Sequence, residues 1–383
     1  MSAQPAPTPA PTPGSPPGSP PASTPAPSGA PQAAERRRAR YAAELAEGTD
    51  HFHEPRRADC PWCGSTRLRT RLRAPDLLQG KPGTFVVDEC GSCAHAFQNP
   101  RLTAEGLAFY HRDLHEGHLD EIAALAERAL GARGRRRHLR ATARAMLSFP
   151  EPESWLDVGT GHAHFPETAK EVFAYTSFDG LDPTPRVTRA RAAGRVEEAY
   201  IGRLTSPEIT TRLRARYDVV SMLHHLEHTP DPREELRAAL TALRPGGHLL
   251  LELPDPQSVF ATLLGKWWLP YGQPRHLHLI PLPNLRTELE SQGCTIVTVD
   301  RRASHVPHDL AGALSLGLTR ALPEPDAPWR AAPPGEFQRR LRAVLLAAST
   351  PLVAAAATLD HTLAPLLRRT RFSNTYRVIA RRN

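Results

Sequence analysis

Lysine is nearly missing from this 383-residue chain: only Lys81, Lys170 and Lys266 stand among 48 basic residues. Arginine in place of lysine, with abundant alanine and proline, follows GC-rich coding. The net charge of +8 is therefore read as a solvated basic surface, and a nucleic-acid partner is not expected. No basic segment followed by an apolar core opens the chain, so a secretory leader is not expected and a cytoplasmic protein is. No uncharged apolar run reaches the ~20 residues of a membrane span. The longest, Ala343–Leu359, has 17 residues and carries Pro351. A transmembrane span is thus not expected, although an amphipathic segment could still lie on a membrane surface. Charge is absent from residues 1–34, which hold 12 of the 40 prolines. Such a segment buries too little apolar surface to offset its ordering entropy, so a disordered tail with polyproline II character is expected.

The five cysteines do not form a disulfide framework. Four of them make two close pairs, Cys60-Pro-Trp-Cys63 and Cys90-Gly-Ser-Cys93, with 26 residues between the pairs. Two such knuckles match a closed tetrahedral Zn2+ site with a structural role, and the unit looks like a zinc ribbon. Between the knuckles, Arg67, Arg69, Arg71 and Arg73 alternate along an expected strand. Alternation would place all four on one face, either solvated or open to an anionic partner. Cys294 stands alone and is read as core.

After Glu153 the pattern becomes strand, glycine turn, helix. Strands are expected at 154–158, 177–181, 199–201, 217–223, 248–253 and 295–299, and a last one at 374–380. Helices are expected between them, with Asp231–Leu243 closed by Pro245-Gly-Gly247. Alternation of this kind argues for a parallel sheet covered by helices on both faces. The last strand follows a long helical stretch, which makes that stretch a cap inserted before the chain returns to the sheet. The expected organisation is a tail (1–34), a ribbon with an N-terminal helix (35–110) and a helical connector (111–150). A core (151–302), a helical cap (303–373) and the returning strand (374–383) follow.

Trp155-Leu-Asp-Val-Gly-Thr-Gly161 ends the first core strand in a glycine turn. Such a turn lets a ligand approach the backbone, and the following helix begins there. Asp182 ends the second strand, where a carboxylate can accept from both ribose hydroxyls of a nucleotide. With Gly180-Leu-Asp-Pro183, Tyr217-Asp-Val-Val-Ser-Met-Leu-His-His-Leu-Glu-His228 and Leu243-Arg-Pro-Gly-Gly247, the pattern resembles the class I S-adenosylmethionine-dependent methyltransferases. The likeness covers about 150–302 and the returning strand, and it is nearest to enzymes acting on quinones, sugars and natural products. It implies an α/β, doubly wound, seven-stranded Rossmann-like sheet. It also implies an S-adenosyl-L-methionine site lined by Asp157, Gly159, Thr160, Gly161, Asp182, Leu223 and His224. The sequence departs from the family at Ala163, where a third glycine is usual, and at Gly202-Arg203, so no adenine contact is assigned.

Methyl transfer to a hydroxyl or carbon acid needs a base near the methyl donor. Glu227 and His228 on the fourth-strand loop, and His276 in the connection after the fifth strand, are the candidate catalytic residues. Tyr271 and His278 are further possibilities in that connection. His224, His225, Glu227 and His228 do not make a metal set on one strand end, because neighbouring side chains point apart. Trp267 and Trp268 are read as packing of the cap. The implied function is methyl transfer to a small-molecule acceptor. An RNA- or protein-directed enzyme docked by the ribbon, or a binding protein without chemistry, are the alternatives.

Overall fold

The structure, a computed structural model, describes residues 30–113 and 132–383. The expected proline-rich tail lies outside these residues up to position 29. So do Ile122, Leu125, Ala126 and Leu130 of the expected connector. The first helix is Ala30–Leu45.

Eleven strands are described: β1 (Leu68–Pro75), β2 (Thr84–Cys90), β3 (Ala96–Gln98), β4 (Ser154–Val158), β5 (Ser177–Asp182), β6 (Ala199–Ile201), β7 (Tyr217–Leu223), β8 (Leu243–Pro254), β9 (His278–Leu279), β10 (Cys294–Asp300) and β11 (Thr375–Arg382). Seven form one sheet in the order β10-β11-β8-β7-β4-β5-β6. The pairs from β8 through to β6 are parallel, and β11 runs antiparallel to both of its neighbours. The chain moves outward from β4 to β6, then restarts at β7 on the other side of β4. The order therefore reverses between β4 and β7, the switch point at whose carboxyl ends ligands bind in open sheets of this kind.

Alternation along the strands fills both faces of this sheet. Leu156, Val220, Leu249, Leu251 and Val378 pack on one side with Leu236, Leu285 and Leu289 from helices Pro232–Ala242 and Leu282–Ser291. Trp155, Val219, Leu250 and Ile379 pack on the other with Ala143, Phe165 and Phe173. Trp155 stacks on Phe178 with ring centroids 5.3 Å apart.

The other sheet is small and antiparallel, in the order β1-β2-β3-β9. Its first three strands belong to the four-cysteine unit. Its last, β9, comes from the connection after β8, with Phe97 opposite His278 and Ala96 opposite Leu279. The two units are thus joined by main-chain pairing. The register of β1 slips between Thr70 and Leu72. The expected alternation of four arginines breaks at this bulge. Arg69 stays largely exposed, whereas Arg71 turns inward to Glu89, the Tyr271 hydroxyl and the Pro256 carbonyl.

The returning strand is held by a buried polar cluster. The Arg377 guanidinium donates to Glu252 Oε1 at 2.6 Å and to Thr142 Oγ1 at 2.9 Å. Thr142 also donates to Glu252 at 2.9 Å, and His138 lies 3.2 Å from the second oxygen. Burial would raise the Glu252 carboxyl, but His138 and Arg377 outweigh it and hold it at about 2. Its stabilising contribution is present above its ordinary pKa of 4.5 and is lost as pH falls toward about 2. Glu252→Gln leaves the buried Arg377 charge uncompensated. Urea unfolding at neutral pH should show a loss of about 3 kcal/mol.

Candidate functional site

The glycine turn is built by backbone freedom at two positions. Gly159 and Gly161 have φ of +73° and +54°. The Gly159 N–H donates to the Leu181 carbonyl at 2.8 Å, and the Gly161 N–H to Asp182 Oδ2 at 2.9 Å. The turn therefore bends toward the end of β5. A Cβ on Gly159 would lie 2.4 Å from His225 Nδ1, whereas one on Gly161 would meet nothing within 4 Å. Gly159 is closed by its neighbour and Gly161 faces open space. Ala163, in the place of the usual third glycine, keeps the left-handed backbone at φ +56°. Alanine there costs about 1–2 kcal/mol.

The other expected cofactor residues surround this turn. Asp157 is buried and accepts from the Ser221 hydroxyl at 2.6 Å, and burial lifts its carboxyl to about 6. Asp182 Oδ1 accepts from the Thr184 N–H at 2.9 Å and from the Thr184 hydroxyl. The Thr160 methyl packs over Gly180. Leu223 ends β7, and His224 follows with φ +53°.

A short 3₁₀ turn, Leu226–His228, then brings the carboxylate and imidazoles together. Glu227 is fully buried. Its Oε1 lies 3.2 Å from His224 Nδ1, and its Oε2 has no hydrogen-bond partner. His228 Nδ1 donates to the Arg275 carbonyl at 3.2 Å. His276 Nδ1 donates to the Pro270 carbonyl at 2.7 Å. Each bond fixes the tautomer and leaves Nε2 with a free lone pair. The two rings meet edge to face, 4.6 Å between centroids. One donor atom from each of Glu227, His228 and His276 lies within 4.8 Å of the others.

Burial sets the charges of this group. It pushes His276 down to about 4 despite Glu227, and holds His228 well below its ordinary value. Glu227 titrates low, because His224 and His276 outweigh its burial. His224 titrates high, because Glu227 outweighs its own burial. The result is two neutral imidazoles beside a carboxylate.

Other candidates are drawn elsewhere. Tyr271 accepts from Arg71 at 2.6 Å. His278 is locked between His95 at 3.1 Å and the Pro230 carbonyl at 3.2 Å. Trp268 is buried and donates to Asp309 at 2.8 Å. His225 turns from Glu227 toward Glu235, 3.0 Å away, and covers Gly159. Sequence reading gave His225 no such part, since its contact with Gly159 joins positions far apart in the chain.

The four cysteines converge as well. Cys60 Sγ lies 3.7 Å from Cys93 Sγ, and Cys63 Sγ 3.5 Å from Cys90 Sγ. Zn–S bonds of about 2.3 Å in a tetrahedron place sulfurs about 3.8 Å apart, so the cluster fits such an ion. The Trp62 and Ser92 N–H groups point at Cys60 and Cys90 Sγ; the Cys90 thiol is drawn down to about 6, whereas burial pushes the Cys60 thiol up to about 11.

Residues 130–299 match the family model described as a methyltransferase domain. Over these residues the chain is similar to methyltransferase domains. It is similar to the ubiquinone biosynthesis O-methyltransferase of Aeromonas salmonicida, with 29% identity over 126 residues, 32% of this chain and 53% of that protein. The protein of the same name from Xanthomonas oryzae pv. oryzae is 28% identical over 177 residues, 43% of this chain and 73% of its own. The match thus spans about half the length of the Aeromonas relative. A SAM-dependent methyltransferase from Archaeoglobus fulgidus superposes with a TM-score of 0.41 at 18% identity, covering 68% of this chain and 99% of its own.

The two glycines of the turn should separate on substitution. Gly159→Ala combines left-handed strain with a clash on His225, so urea unfolding should show the larger loss of stability, more than about 2 kcal/mol. Gly161→Ala should cost about 1–2 kcal/mol of stability. Its main effect should be weaker S-adenosylhomocysteine binding in calorimetric titration.

Proposed function

We propose that the chain transfers a methyl group from S-adenosylmethionine to a hydroxyl of a small organic acceptor. The observation that carries this reading is the convergence of Glu227, His228 and His276 beside the glycine turn. When bound, S-adenosylmethionine supplies an electrophilic methyl on a sulfonium. Gly161 leaves room for its close approach, and Asp182 stands where ribose hydroxyls can donate to it. Asp157 and Thr160 buttress the turn, while Leu223 and His224 border it at the end of β7.

The acceptor hydroxyl loses its proton to Nε2 of His276 or His228, and its oxygen gains the methyl as the carbon–sulfur bond breaks. Both imidazoles are neutral at physiological pH, so the lone pair is available without prior deprotonation. The buried Glu227 carboxylate then faces the imidazolium and stabilises it. The acceptor is read as phenol- or quinol-like, a reading supported by the names of the relatives. Zinc in the four-cysteine cluster is structural in this reading, with no open position.

A nucleic-acid acceptor is disfavoured because three of the four ribbon arginines hold partners within the protein: Arg67 with Ser92, Arg69 with Glu89, and Arg71, turned inward, with Glu89 and Tyr271. A second reading rests on the unpartnered Glu227 Oε2. A divalent cation held by Glu227, His228 and His276 would polarise the acceptor oxygen directly. Chelator-sensitive turnover by protein that keeps its ribbon zinc would select that reading.

Calorimetry with S-adenosylhomocysteine should give micromolar binding that Asp182→Ala loses. His276→Gln and His228→Gln should retain that binding. In a panel of catechols and quinols, each should lower turnover by about 10²–10⁴-fold. Absence of cofactor binding by folded protein would contradict methyl transfer. Binding without turnover on any acceptor would leave a cofactor-binding protein.

A further inference from the structure

Helix Glu336–Leu367 carries a long apolar stripe on its outer face. Phe337, Val344, Leu352, Leu359 and Leu366 are between 47% and 77% exposed. Their spacing of seven or eight residues keeps them on one side of the helix over about 43 Å. The opposite face is tied to the cap. Asp360 accepts from the Leu310 and Ala311 N–H groups at 3.1 and 2.9 Å, capping helix Asp309–Ala321. Arg342, Val353 and Ala357 are buried on that inner side.

The helix is long and apolar enough to cross a bilayer by length and composition. It does not cross one here. It lies between β10 and β11, which are neighbours in one sheet, so both of its ends return to the same side. Its place is on a surface.

The charge pattern selects the occupant. Ala343–Leu359 has no charged residue, while Arg339 and Arg340 stand at one end and Arg368, Arg369 and Arg371 at the other. Glu336 offsets one of them by pairing with Arg340. Two copies packed stripe to stripe would set arginines against arginines in a parallel or an antiparallel pairing. A surface of negative charge suits both ends at once. We propose that this helix docks the protein onto an anionic lipid bilayer, with its apolar stripe at the headgroup–acyl boundary and its terminal arginines on lipid phosphates. The inference stands apart from the methyl-transfer reading and uses none of its residues.

Co-sedimentation of the full-length protein with vesicles tests it. Vesicles of phosphatidylcholine and phosphatidylglycerol in equal parts should pellet the protein, and pure phosphatidylcholine should not. Leu352→Asp with Leu359→Asp should abolish pelleting. Arg368→Glu, Arg369→Glu and Arg371→Glu together should weaken it by at least about tenfold. Circular dichroism and S-adenosylhomocysteine binding should be unchanged in both variants, since the altered side chains are exposed. No pelleting of the native protein, or equal pelleting with both lipids, would overturn the proposal. So would a native dimer by light scattering that Leu352→Asp converts to monomer, which would make the stripe a contact between copies.

Discussion

One residue's main chain, that of Leu277, links the two halves of the molecule. The Leu277 carbonyl accepts from the Gln98 N–H at 2.9 Å, and the Leu277 N–H donates to the Glu227 carbonyl at 2.7 Å. The first bond begins the pairing of β9 with β3 in the four-cysteine sheet. The second fixes the loop at the end of β7 in the large sheet. His276, just before Leu277, is thereby placed against Glu227 and His228. Neighbouring contacts reinforce the link. Gln98 donates to Gln273 at 2.9 Å and to the Pro274 carbonyl at 3.1 Å. Arg233 donates to the Trp62 carbonyl and lies over the Trp62 ring, 4.7 Å from its centroid. The four-cysteine unit therefore braces the segment that carries His276.

That placement explains the electrostatics. A carboxylate and two imidazoles are ordinarily hydrated, and each alone would resist burial. Packed together, His228 and His276 remain neutral and the negative charge of Glu227 is offset by His224, which Glu227 in turn raises. The Nδ1 bonds of His228 and His276 go to backbone carbonyls of the 270–276 segment, so the free nitrogens are set by the same loop that β9 anchors. The site's protonation states and its geometry have one cause.

Much of this was legible in the sequence, for a physical reason. Strand–turn–helix alternation is local, so the seven strands of the large sheet and the glycine turn at 159–161 could be read from periodicity and from the residue types that turns require. The cysteine pairs likewise encode their convergence by spacing. Glu227, His228 and His276 were placed on the correct loops by topology. Less legible were features set by distant pairing. A two-residue strand such as β9 has no periodicity to detect. The bulge between Thr70 and Leu72 depends on the partner strand and redirects Arg71 from the solvent to Tyr271. His225 over Gly159, and His278 against His95, are contacts across the fold that no spacing announces. Ala163 is different again: the sequence showed the departure from glycine, and the structure keeps a left-handed backbone there despite the side chain.

If the ribbon holds His276 in place, then loss of the proposed zinc must be felt in the 270–279 segment before it reaches the parallel sheet. Hydrogen–deuterium exchange on full-length protein, zinc-loaded and after Cys90→Ser, measures this directly. The expected result is lost protection in peptides covering 84–98 and 270–279, with β4, β7 and β8 still protected. A ribbon that exchanges freely while 270–279 stays protected would contradict the claim that the ribbon positions the site.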